Sequence, residues 1–149
     1  MITIFSYGQN TISIKKKKEV KKSNTFPGFY YSKPLIEEHK NSAGIVSYKK
    51  VRYYLYFTSS KAVYLFTSPL SPNKALKKFS KKREKIANEV GEYEASNRTL
   101  YLTLIARNSR NPVTYRYVGQ IGEDFIYLDY KAAYRQKIAL DIYLYKLNN

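Results

Sequence analysis

The stretch Ser71-Pro72-Asn73-Lys74-Ala75-Leu76-Lys77-Lys78-Phe79-Ser80-Lys81-Lys82-Arg83-Glu84-Lys85-Ile86-Ala87-Asn88-Glu89-Val90-Gly91 decides how the chain is read. Ser71 suits an N-cap, Pro72 the first helical position and Gly91 the C-cap. At 100° per residue, Ala75, Leu76, Phe79, Ile86, Ala87 and Val90 share one face, and Lys74, Lys78, Lys81 and Lys85 share the opposite one. The expectation is a long amphipathic helix with one side on a core and a line of ammonium groups on the other. Arg83 falls among the apolar positions. Either its stem packs while the guanidinium reaches water, or it meets a buried carboxylate or a bound phosphate.

On both sides of this segment the pattern changes to period two. Val51, Tyr53, Leu55 and Phe57 share one face and Arg52, Tyr54 and Tyr56 the other, which predicts a strand. Ser59-Ser60-Lys61 reads as a hairpin turn into a second strand, Ala62 to Phe66. After Gly91, Leu100, Leu102 and Leu104 alternate with Tyr101, Thr103 and Ile105. Asn108 to Pro112 reads as a turn, Val113 to Val118 as a strand, Gln120 to Asp124 as another turn and Phe125 to Tyr130 as a strand. Lys131 to Lys137 reads as a short helix or turn before a terminal strand in which Ile138, Leu140, Ile142 and Leu144 alternate. The expected fold is α+β: an antiparallel sheet of about five or six strands with the long basic helix on one face. Residues 44–149 form that core domain, preceded by a basic, partly irregular segment over 1–43.

The chain has 149 residues, 27 Lys and Arg against 11 Asp and Glu, and a formal net charge of +16. A surplus of that size repels itself in the compact state, so a polyanionic partner is the natural reading. The absence of cysteine excludes disulfides, thiolate metal sites and thiol nucleophiles, and a single His39 leaves no room for a histidine pair. No apolar run approaches the roughly 20 residues of a membrane span, and the first residues do not read as a signal peptide, so an intracellular, soluble protein is expected. Seventeen tyrosines and no tryptophan form the second compositional anomaly. Few glycines, no cysteine and much Lys, Tyr and Ile are compatible with a hot or AT-rich source, a viral or thermophile-like character.

Candidate phosphate contacts are the block Lys15, Lys16, Lys17 and Lys18, the helix row Lys74, Lys78, Lys81 and Lys85, and the arginines around the Asn108 turn, Arg107, Arg110 and Arg116. Tyr54, Tyr56, Tyr101, Tyr115 and Tyr117 are candidates to stack unpaired bases if their sheet face is open, and core if it is covered. Carboxylates are scarce. Asp129-Tyr130-Lys131, with Asp124 just before it, has the acid-x-Lys spacing in which a carboxylate binds a metal and a lysine orients water, so Asp124 and Asp129 are the metal candidates, for Mg²⁺. A salt-bridged sheet edge accounts for the same residues. Glu84 pairs with Lys81 or Lys85, and Glu89 with Lys85, as ordinary helix supports; either glutamate is otherwise a candidate catalytic group.

From Ser71 to Tyr130, a basic helix followed by an antiparallel meander resembles compact ribonuclease toxins that cleave messenger RNA on the ribosome. Size and Lys/Tyr-rich character are similar to those of small DNA-degrading proteins of filamentous crenarchaeal viruses. The resemblance is one of element order and composition. It implies phosphodiester cleavage through Lys, Arg, Tyr and a glutamate, with Glu84 or Glu89, Arg83 and Arg116 as actors. The leading expectation remains sequence-independent binding of the phosphate backbone of nucleic acid, DNA first, with no cofactor required. A small nuclease is the alternative and a genome-packaging protein the second alternative.

Overall fold

A computed structural model describes residues 26–107, 110–130 and 142–148. Among these described residues, nine strands and one helix follow in the order β1 (Gly28–Ser32), β2 (Leu35–Lys40), β3 (Val46–Phe57), β4 (Ala62–Ser68), α1 (Pro72–Ile86), β5 (Glu89–Ser96), β6 (Thr99–Ala106), β7 (Thr114–Ile121), β8 (Phe125–Tyr130) and β9 (Ile142–Lys146). From β3 to β8 each strand pairs antiparallel with the next. Then β9 pairs β8, β1 pairs β9, and β1 pairs β3. That last pairing closes eight strands into an antiparallel barrel.

The α+β expectation is therefore corrected: the protein is mostly strand, the sheet closes on itself, and the helix is short. Closure removes the unpaired edges that an open sheet of five or six strands would leave. The strand that closes the circuit, β1, lies between Pro27 and Pro34, inside the 1–43 segment expected to be partly irregular.

An eight-stranded barrel is just wide enough for its own side chains to fill. Period-two alternation supplies them. Leu100, Leu102 and Leu104 of β6 point inward and are buried, while Tyr101, Thr103 and Ile105 point out. Leu55, Phe57, Val63, Leu65, Ile126, Leu128 and Leu144 complete the inner layers. One end is plugged by aromatic rings. Phe26 lies 4.8 Å from Phe57 and 5.1 Å from Tyr93, and the Tyr93 hydroxyl donates to the Thr58 carbonyl at 2.6 Å.

At the other end β2 and the first half of β3 continue past the barrel as a two-stranded arm. Gly28 stands opposite Phe57 but Leu35 opposite Val51, so the register slips by one residue around Lys33 and Pro34. The slip reverses which face looks inward. Tyr30 of β1 and Leu35 of β2 face the barrel core, and Ile36 is exposed.

The helix lies on the outside of β1, β3 and β4. Phe29, Tyr54, Phe66 and Phe79 form a continuous stack, with ring centroids 5.5, 5.0 and 4.9 Å apart in that order. All six positions of the expected apolar face lie in this second cluster. The helix nevertheless ends at Ile86 instead of running to Gly91. Ala87 is extended, the Asn88 N–H donates to the Leu65 carbonyl at 2.9 Å, and the Asn88 side-chain oxygen accepts from the Thr67 N–H at 3.0 Å. Those two bonds tie the chain to β4 and start β5. Gly91 is thus a strand residue, not a cap: a Cβ there would lie 1.8 Å from the Thr103 carbonyl oxygen of β6. At the N-terminus, Ser71 makes no side-chain capping bond.

Candidate nucleic-acid interface

The expected ammonium row is present on α1. Lys74, Lys78, Lys81 and Lys85 are exposed, and so are Lys77 and Lys82, which the helical projection did not single out. Backbone torsions at Lys82 (φ −137°, ψ 38°) depart from the helix and turn its last part. Among the described residues the ion pairs are His39–Glu37 and Arg107–Glu84, so none of the six lysines is neutralised by a carboxylate there. The expected pairing of Glu84 with Lys81 or Lys85 gives way to Arg107. Its guanidinium lies 3.4 Å from the Glu84 carboxylate and also donates to the Glu84 backbone carbonyl.

Among the described residues Arg83 meets rings and no carboxylate. Its guanidinium carbon sits 4.9, 5.5 and 5.7 Å from the ring centroids of Tyr56, Tyr64 and Phe79. A cation over ring faces is held by their quadrupoles, which keeps the charge at the surface while the stem packs.

The remaining candidates are dispersed. Arg110 is exposed in the bend after β6, and Arg116 is exposed on the outer face of β7. Asp124 lies in the turn before β8 and Asp129 near the far end of that strand, so five residues of extended chain, ~17 Å, separate their backbones. No group of three His, Cys, Asp or Glu suited to a metal occurs among the described residues. Lys15, Lys16, Lys17, Lys18 and Lys131 lie outside the described residues.

Glu89 is the candidate that the fold moves furthest. It opens β5 opposite Leu65 and Ala106, and its side chain enters the arm end of the barrel instead of the basic stripe of the helix. Burial raises its pKa, and the Tyr117 hydroxyl, donating to Oε2 at 2.9 Å, works in the opposite direction. Nearby, the Tyr53 hydroxyl donates to Glu37 at 2.8 Å. Burial, that bond and the charges of Glu37 and Glu89 together push the Tyr53 pKa up. The second oxygen of Glu37 is 3.4 Å from His39 Nε2. Glu84 and Glu89, five residues apart in sequence, thus stand on opposite sides of the barrel wall.

Most of the tyrosines considered for stacking lie on covered faces, the alternative in which they are core. Tyr54 is fully buried and Tyr56 half-buried beneath the helix, Tyr115 and Tyr117 line the barrel interior, and only Tyr101 is exposed on the outside. A different set of rings occupies the outer wall of β8, β9 and β1: Phe125, Tyr127, Tyr143, Tyr145 and Tyr31. Alternation in the sequence marks each as sharing a face with its i+2 neighbour, but not whether that face is inside or outside the closed barrel.

Comparisons with protein-family models, characterised proteins and solved structures returned no match. No helix among the described residues is long and apolar enough to cross a membrane.

Proposed function

We propose that this protein binds nucleic acid through the phosphate backbone, without sequence preference, using the cation row of α1 as one strip of its contact surface. The observation that carries this reading is six exposed lysines on fifteen residues of helix, facing away from the barrel and without carboxylate partners among the described residues. A charge row of this kind contributes little to folding. Packing holds the helix in place through Ala75 and Phe79, and like charges along one face destabilise it by a few tenths of a kcal/mol per pair. Lys74 to Lys85 spans about 16 Å of helix axis, enough to follow successive phosphates. The net charge of +16 supplies the long-range attraction.

Hydrolysis has less support. Its described candidate residues are divided among the outer helix face, the barrel interior and the outer faces of β7 and β8. The binding reading is tested by fluorescence anisotropy with labelled DNA and RNA over a range of salt. Retention at about 50 mM salt that weakens log-linearly as salt rises is expected. No binding of any nucleic acid at that salt concentration refutes it.

A further inference from the structure

The outer wall of β8, β9 and β1 carries a run of rings outside the barrel core, of which only Tyr31 packs against the cluster under the helix. Tyr127 and Tyr143 are 4.9 Å apart across the β8–β9 ladder, Phe125 and Tyr143 5.8 Å apart, and Tyr145 and Tyr31 6.5 Å apart across β9–β1. Tyr143 is 52% exposed, a large aromatic surface to leave in water. A hollow of about 210 Å³ opens beside these rings, lined by Tyr143, Tyr145, Ile142, Leu35, Ser32 and Lys33. A cavity of about 150 Å³ takes a benzene, so this hollow has room for one flat heterocycle.

From this juxtaposition we infer that the wall is a stacking platform for unpaired bases, and that the partner of this protein is single-stranded nucleic acid. The inference rests on the backbone-binding reading above and makes it more specific. Base faces are hidden in a duplex and offered only by an unstacked strand, and every base has such a face, so ring stacking adds affinity without adding sequence preference. Charge sets the direction of the strand across the wall. Glu123 and Asp124 lie in the turn before β8, and Asp129 lies on the outer face of β8. Exposed Lys33 lies at the hollow, and the helix lysines lie beyond β1. Phosphates therefore run on the β1 side and bases on the β9 and β8 side. The aromatic wall continues under the edge of the helix through Tyr31, which packs against the cluster containing Phe29 and Phe79, so ammonium row and rings border one surface.

The test compares a labelled short oligothymidylate with a hairpin duplex of the same nucleotide count, using the full-length protein. Tyr143→Ala and Tyr145→Ala are each expected to weaken oligothymidylate binding about tenfold, to leave duplex binding within about twofold, and to leave the salt slope unchanged. Tyr143→Phe and Tyr145→Phe keep the ring and should bind as the wild type does. Tyr143 is exposed enough that its replacement leaves the melting temperature in place, which a thermal scan of each variant checks. Four results overturn the inference. They are alanine variants that bind the single strand as well as wild type, an equal loss on duplex, phenylalanine variants as weak as alanine, and a wild type that binds duplex alone. Each of these leaves the backbone-binding reading standing. A wild type that binds neither probe at low salt removes both.

Discussion

Replacing Phe79 with alanine probes the junction on which the helix depends. Phe79 is 1% exposed, stacks on Phe66 with ring planes 8° apart, and meets Tyr56 and Tyr64 edge-on at 5.5 and 5.7 Å. Truncation removes an apolar area of about 150–250 Å² from contact, worth about 4–6 kcal/mol at 25 cal/mol per Å². Partial collapse of the site brings the expected loss to about 3–5 kcal/mol. Arg83 loses one of its three rings as well. Because the barrel interior is a separate cluster, the loss should fall on the helix: mean residue ellipticity at 222 nm drops while the near-ultraviolet signal of the inner tyrosines persists. At about 2–4 °C per kcal/mol for a chain of this length, the melting temperature should fall by roughly 6–20 °C. Urea unfolding followed by both signals is the assay. A loss below about 1 kcal/mol would mean that the helix is not seated on β1, β3 and β4, and the placement of its lysines would fall with it.

Two further perturbations test the barrel itself. Glu89 has its pKa raised by burial, so its contribution to stability is fully present below the ordinary carboxylate range and is lost as pH rises through the folded value. Glu89→Gln should therefore be more stable than wild type at about pH 7, with the advantage shrinking toward about pH 4; a variant less stable at neutral pH would mean that the ionised carboxylate is favourably held. Gly91→Ala drives a Cβ into the Thr103 carbonyl oxygen, and a loss of about 3 kcal/mol or more is expected in urea unfolding. A change within about 0.5 kcal/mol would contradict the close approach of β5 and β6.

The strands were legible wherever one face is core and the other is water. Leu100, Leu102 and Leu104 read correctly as a single face because burial on one side imposes period two, and Val51, Tyr53, Leu55 and Phe57 did so because the residues between them, Arg52, Tyr54 and Tyr56, carry polar groups even where the helix covers them. Closure was not legible. It depends on β1 meeting β3 and β9, pairings between residues far apart in sequence, and Pro27 and Pro34 disguise β1 as a loop. The end of the helix was hidden for a related reason: the apolar period continues through Ala87 and Val90 because both still pack under the helix, although the backbone has already joined β4 through Asn88. That displaced Glu89 from the basic stripe to the barrel interior. The ammonium row itself survived, since a solvated face needs no tertiary information. Tyrosine stacking candidates were chosen by alternation alone, which cannot tell the inside of a barrel from its outside.

The central claim is that the α1 lysines contact phosphates, and the salt dependence of binding measures it most directly. Each neutralised phosphate contributes about −0.9 to the slope of log K against log salt on duplex DNA and about −0.7 on a single strand. Glutamine at Lys74, Lys78, Lys81 and Lys85 together, exposed positions whose replacement leaves the core untouched, should reduce the magnitude of that slope by roughly 2–4 and weaken binding on every sequence alike. A folded quadruple variant whose slope and affinity match wild type would contradict the account.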